Sequence, residues 1–280
     1  MRNGSVNAKV REPMVSGLFY PESAGELGAA VDEALGYEET PVARHTALRA
    51  LLAPHGGFAY SADIQGRAWR ESAGMELERV VIVGPLHGSS ETGVYLPESS
   101  LFRTPLGDIE VDEESCGELE TSATLFTRND IPHLEEHAIE LQLPFMKRLH
   151  PAARLVPILI GGHDPRLSRS LSSALDLLLS GAEGNTLLVV SSNLASSFSQ
   201  DEAAANSDKL LSAIAGRELD ILYENRGREL GLGSAAVAAL VGMRSLASAR
   251  FELLKRVDSA RARGDERERI VQYAAGAWYA

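Results

Sequence analysis

Two histidines of this chain sit in turns of the same make. The run "LLAPHGGFAYS" carries an apolar segment from Leu51 into Pro54, His55, Gly56 and Gly57, and "RVVIVGPLHGSS" carries a β-branched one into Gly84, Pro85, His87 and Gly88. A turn that follows a buried strand presents its side chains to the crevice at the strand's carboxyl end. Neutral imidazole nitrogens in such a crevice are donors for a divalent metal, so His55 and His87 are candidate metal ligands. The alternative is a pair of hydrogen-bonded structural histidines, and spacing alone does not separate the two.

A third candidate is His137 in "EEHAIELQLPF", with Glu136 and Glu140 beside it. Glu140 follows His137 by three positions, so on a helix the two share a side. There the carboxylate can orient the imidazole or act with it as general acid and base, which makes His137 and Glu140 the candidate catalytic residues. The plainer alternative is a helix amino terminus at which acidic residues meet the dipole. His45, His133, His150 and His163 have no comparable setting and read as surface or packing residues.

These side chains need strand ends to hold them, and the hydrophobic pattern supplies strands. Apolar runs at 50–53, 80–83, in "TGVYLP", "ARLVPILIGG" and "NTLLVVSSN", and in the closing "RFELLKRVDS" and "ERIVQYAAGAWY", read as strands. Between them lie helical segments: one capped by Ser23 and running through Leu35, "SADIQGRAWRES", "PRLSRSLSSALDLLLSG", a long stretch from Glu202 to Glu224, and "SAAVAALVGMRSLA". "FRTPLGDIEVD" reads as a hairpin or an excursion from the sheet. "EEHAIELQLPFMKRL" fits either period, and helix up to Leu149 is the preferred reading. The alternation predicts an α/β fold with a mainly parallel central sheet and helices on both faces, as one domain over 1–280. The charged "ARARGDERER" reads as a solvated turn.

Composition bounds the function classes. With 44% hydrophobic and 24% charged residues over 280 positions the chain is expected to be globular rather than disordered. A formal net charge of −12 argues against nucleic acid or an anionic membrane as partner, since both need a basic footprint. The amino terminus lacks the apolar core of a signal peptide, no run is long enough to cross a bilayer, and the single Cys116 fits a reducing compartment, so a cytoplasmic protein is expected. The acidic neighbours of Cys116 would raise its thiol, which reads as inert. There is no Gly-x-Ser-x-Gly elbow, no phosphate loop and no dinucleotide fingerprint.

Taken together, "VSGLFYP", "APHGGFAYS", "VIVGPLHGSS", "TPLGDIEVD", "EEHAIELQLPFMKRL", "LVPILIGG", "LLVVSSNL" and "VQYAAGAWY" resemble, in order and over nearly the whole chain, the Memo family, which includes the microbial AmmeMemoRadiSam system protein B. The resemblance implies an α/β fold similar to the class III extradiol dioxygenases, with a metal-type pocket at strand ends. It implies that His55 and His87 are ligand or pocket positions, that His137 falls at another pocket position, and that the metal is iron or copper. A radical SAM system partner is implied as well.

The chain also departs from the family pattern. Where the pattern reads Asp and His after the fifth strand, "SSNLASS" places Asn193 and Ser196, and an ungapped alignment puts Leu232 at a family cysteine. Loss of those donors weakens a metal site, because redox iron needs about three protein ligands with open positions. The reading that follows is a divergent member whose pocket of His55, His87, His137, Asn193 and Ser196 binds a small ligand or a loosely held Fe(II) or Cu ion, without a full catalytic iron site. One alternative is an active metal-dependent oxidoreductase or hydrolase. Another is a peptide-recognition module whose cleft is lined by Phe58, Tyr60 and Trp278, residues that could equally be core.

Overall fold

The computed structural model describes residues 8–36, 48–87, 92–122, 125–162, 164–181, 185–224, 233–260 and 269–280. Its centre is a nine-stranded mixed sheet flanked by helices. The strands β2 (Leu48–Ala53), β9 (Thr186–Ser191), β3 (Arg79–Pro85) and β8 (Arg154–Gly161) lie side by side and parallel. All seven residues of β3 are buried, as expected of strands covered on both faces.

The mainly parallel expectation describes these four strands. Beyond them β4 (Gly93–Leu96) runs antiparallel to β8 and carries β7 (Phe126–Arg128), while β12 (Ile270–Tyr279) runs antiparallel to β2. β12 pairs in addition with β11 (Arg250–Asp258) and with the short β10 (Ser196–Ser197). A separate three-stranded sheet joins β1 (Val10–Arg11) to the expected hairpin, β5 (Leu101–Thr104) and β6 (Gly107–Glu110).

The helices form two layers. α1 (Ala24–Leu35), α2 (Phe58–Trp69) and α5 (Leu143–Leu149) pack together on one face. α6 (Pro165–Gly181), α7 (Gln200–Gly216), α8 (Leu219–Glu224) and α9 (Ser234–Gly242) form the other layer. Neighbouring side chains on β11 show the division: Lys255 reaches Asp63 of α2, and Arg256 reaches Asp208 and the Ala204 carbonyl of α7. Ser23 caps α1 as expected, accepting from the Glu26 N–H. α1 and α2 approach so closely that a Cβ on Gly66 would fall 2.1 Å from the Ala34 carbonyl oxygen, so only glycine fits there. No described helix is long and apolar enough to cross a membrane.

Two helical expectations need correction. The stretch 202–224 is broken at Arg217, which turns left-handed at φ 55° and donates to the Leu246 and Met243 carbonyls, so a tertiary contact ends α7 where periodicity did not. The segment 135–149 is helical only in its second half. After α4 (Asp130–Glu135) the chain is extended at Glu136, makes a 3-10 turn at Glu140–Gln142, and then enters α5. The cause is local competition for backbone donors, since the Glu136 carboxylate itself accepts from the His137 and Ala138 N–H groups.

Arg11 holds this irregular segment against the amino-terminal strand. Its guanidinium donates to the carbonyls of His133 and Glu136 and pairs with Glu140, both side chains being buried. The other lone pairs of Glu140 accept from the Met14 and Val15 N–H groups and the Tyr20 hydroxyl. Of the minor histidines, His133 and His150 are buried, bonded to the Tyr95 carbonyl and Ser72 hydroxyl, while His45 and His163 lie outside the described residues, as does most of "ARARGDERER". Cys116 is buried in α3 (Glu113–Ser122), and burial foremost pushes its thiol up to about 12.

Two outcomes are expected. Arg11→Met leaves Glu140 charged and unpaired, lowering unfolding free energy by about 3–5 kcal/mol in urea titrations, and adding Glu140→Leu recovers much of the loss. Burial also holds His133 and His150 down to about 4, against 6.5 for a free imidazole. The unfolded chain takes up these protons near 6.5 and the folded chain does not, so stability falls as pH drops from 6.5 towards 4. By pH 5 the loss is of order 2 kcal/mol per imidazole, and His150→Gln flattens the pH dependence of the urea midpoint.

Candidate metal centre

The parallel strands β2, β9 and β3 end at the same edge of the sheet, and that edge holds the site. Ala53 pairs with Ser191 in register, so His55, two residues past β2, stands over the last residue of β9, while His87 lies two residues past β3. The turn at His55 is tightly fastened. Its backbone N–H donates to Asn193 Oδ1 at 3.0 Å, and the Gly56 carbonyl accepts from Ser61 and Gln65. Gly56 is needed because a Cβ there would fall 2.8 Å from the Tyr273 ring and 2.9 Å from Ser61 Oγ. Gln142 closes the floor, donating to the Pro54 carbonyl and to Ser191 Oγ while accepting from Trp69 Nε1.

The third imidazole comes from the loop after α4. Ring centroids of His55 and His87 are 4.9 Å apart, those of His55 and His137 5.6 Å, and His87 and His137 stack at 4.9 Å. One nitrogen from each ring falls within 4.8 Å of the other two, and no carboxylate or thiol among the described residues joins the group.

Hydrogen bonds fix which nitrogen of His55 is free. Ser191 Oγ donates its one proton to the Ala138 carbonyl at 2.8 Å, so toward His55 it can only accept. At 3.1 Å it therefore takes the Nδ1–H, and the lone pair of His55 is left on Nε2. That Nε2 is buried and has no hydrogen-bond partner among the described residues. A buried acceptor without a donor is costly in a finished structure, and it is what a metal ligand looks like before its ion is considered.

Glu136 does the same for His87. His87 Nδ1 lies 2.9 Å from both carboxylate oxygens, and His137 Nδ1 lies 3.3 Å from Oε1 as an ion-pair contact. A carboxylate accepts only, so His87 Nδ1 carries the proton and Nε2 of that ring is the available donor atom. The same carboxylate accepts the His87 N–H at 2.7 Å. Burial, the largest single influence, would raise the Glu136 carboxyl, but the hydrogen bonds from the His87 ring and backbone and the nearby His87 and His137 rings together hold the group below its ordinary value. Burial, followed by the neighbouring His87 and His137 rings, holds His55 well below 6.5, and burial lowers His137 as well, so both are neutral near pH 7. Three imidazoles with one nitrogen each within 4.8 Å of the others, those of His55 and His87 anchored at Nδ1, fit a divalent transition metal.

The remaining expected site residues are distributed as follows. Asn193 touches the site through the His55 backbone. Ser196 lies on the edge strand β10 with Oγ accepting from Arg269, and no hydrogen bond among the described residues joins it to an imidazole. Leu232 lies outside the described residues. The oxygens of Glu140 are taken up by Arg11, Met14, Val15 and Tyr20, so it anchors the amino-terminal segment, and no hydrogen bond among the described residues joins it to the three rings. The carboxylate that orients the imidazoles is Glu136. Ser191 was not singled out from sequence, although its place at the end of "LLVVS", level with His55, is a signal that could have found it.

Phe19 edges His137 at 5.2 Å and also lines a cavity of about 950 Å³ with Phe58, Tyr60, Asp63 and Lys255; none of the three histidines lines that cavity. Trp278 packs on Phe251 and is buried in the core.

An α/β protein with a three-imidazole cluster at the carboxyl edge of its parallel strands is thus defined by fold and site. The profile of the Memo-like protein family matches residues 11–277, and the chain belongs to that family. Its relatives include a MEMO1 family protein of Caldivirga maquilingensis, 29% identical over 96% of this chain and 99% of the relative. Another, from Thermotoga neapolitana, is 30% identical over 94% and 98%. A solved structure of an uncharacterized protein from Escherichia coli K12 superposes with a TM-score of 0.49 at 10% identity, covering 82% of this chain and 99% of that one.

Replacing the Glu136 carboxylate by an amide turns one of its two acceptor oxygens into a donor facing N–H groups. Glu136→Gln is expected to cost about 1–3 kcal/mol in chemical denaturation. A change below a few tenths would show that the carboxylate does not hold the loop.

Proposed function

We propose that this protein holds one divalent transition-metal ion through the Nε2 atoms of His55, His87 and His137, and presents it to a small ligand. The observation that carries the reading is the buried Nε2 of His55, unpartnered among the described residues, beside two further imidazoles of which His87 is bound from behind through Nδ1. The three residues would bind and orient the ion, and the ion would supply Lewis acidity or, for iron or copper, one-electron chemistry. Imidazole suits zinc, copper, iron and nickel alike. The donor set is not the two-histidine, one-carboxylate pattern of non-haem iron oxygenases, because both oxygens of the adjacent Glu136 are engaged by backbone and ring donors. Access is from the side of His87 and His137, whose side chains remain 17% and 24% exposed while His55 is 1% exposed.

The test is elemental analysis of protein purified without chelator or metal-affinity resin, followed by anaerobic titration with Fe(II), Cu and Zn. About one ion per chain is expected in the wild type. His55→Ala and His87→Ala should each lose it while keeping the far-UV spectrum. Absence of metal as purified, together with no titratable binding of any of these ions, would contradict the reading.

A further inference from the structure

His55 and His87 are not neighbours along the edge of the sheet. β9 runs between β2 and β3, and the residue two positions past its end is Asn193. Continued beyond the strand ends, the register that pairs Ala53 with Ser191 and Val83 with Val190 sets Asn193 level with His55 and one residue short of His87. The turn that carries it is fastened on both sides. The Ser192 N–H donates to the Ala53 carbonyl, the Leu194 N–H to the Gln272 carbonyl, and the Ser192 hydroxyl to the carbonyl of Asn193 itself. A carboxamide is thereby fixed between two of the three site histidines, and the inference about it rests on the proposed metal centre.

A backbone N–H is a donor only, so the atom of the Asn193 carboxamide that meets the His55 N–H at 3.0 Å is the oxygen. The planar amide then turns Nδ2, with its two protons, away from the His55 backbone. Neither proton has an acceptor among the described residues, and Nδ2 is not sealed from solvent. What Asn193 has to give a bound molecule is therefore a fixed pair of N–H donors. We propose that Asn193 Nδ2 donates a hydrogen bond to the ligand of the ion held by His55, His87 and His137. It selects ligands that bind the ion through one atom and present an acceptor oxygen beside that atom. Asn193 is then a specificity-determining residue of the centre, and it acts on the ligand rather than on the ion.

The experiment uses full-length protein loaded with Co(II), whose visible absorption reports both the ion and any exogenous ligand. One Co(II) per chain establishes the metal reading by itself. Two small ligands are then titrated at constant ionic strength: acetate, whose second oxygen can accept from Nδ2, and pyridine, which binds through its one nitrogen and has no acceptor left. Asn193→Ala should keep the Co(II) stoichiometry, bind acetate about tenfold more weakly than wild type, and bind pyridine equally well. Asn193→Asp keeps an acceptor for the His55 N–H and so keeps the turn. It should also hold Co(II) and lose at least as much acetate affinity, with pyridine little changed, and it decides the matter where the alanine variant does not fold. Unchanged acetate affinity in these variants, or an equal loss for acetate and pyridine, would overturn the inference and leave the metal reading standing. Failure of the wild type to take up Co(II) would overturn both.

Discussion

The carboxylate of Glu136 is the constraint on which the site depends. A buried carboxylate must find donors for its lone pairs, and Glu136 finds them in the backbone N–H groups of His87, His137 and Ala138 and in the ring of His87. Satisfying them bends the chain out of helix at 136–138, draws the turn after β3 towards the loop after α4, and aims two imidazoles at a third. Arg11 completes the arrangement from the other side by taking the Glu136 carbonyl that the interrupted helix leaves over.

Ser191 imposes the same kind of constraint on His55 by a different route. A hydroxyl has one proton, and the Ala138 carbonyl claims it, so the ring must donate. Ala138 is also the residue whose N–H binds Glu136. The two anchoring systems therefore meet at a single residue of the loop, which ties the height of His55 over β9 to the path of the segment bearing His137. This coupling brings together histidines from distant parts of the chain.

How much of this could be read in the sequence follows from where the information is stored. His55 and His87 were legible because an apolar strand ending in a proline, histidine and glycine turn is a local signal, and the strands β2, β3, β8 and β9 were legible because burial on both faces leaves continuous apolar runs. His137 was found, but its setting was not: "EEHAIELQ" satisfies two periods at once, and the choice between them is made by the side chain of Glu136 and by Arg11, more than a hundred residues away. Glu140 looked like a partner of His137 only on the assumption of helix. Ser191 and Arg11 gave no local signal of their roles, since each acts through a partner that only the tertiary fold supplies. The same holds for Arg217, whose contacts with the Met243 and Leu246 carbonyls end α7 where periodicity continues.

The central claim is that hydrogen bonding places a proton on Nδ1 of His55 and His87 and leaves Nε2 of each ring as the donor atom. Long-range ¹⁵N–¹H correlation spectra of metal-free, histidine-labelled protein near pH 7 test it directly, with assignment by single substitutions. The account predicts that His55 and His87 each give the pattern of a ring protonated at Nδ1. A ring protonated at Nε2, or an imidazolium at His55, would contradict it, because the lone pairs would then not converge.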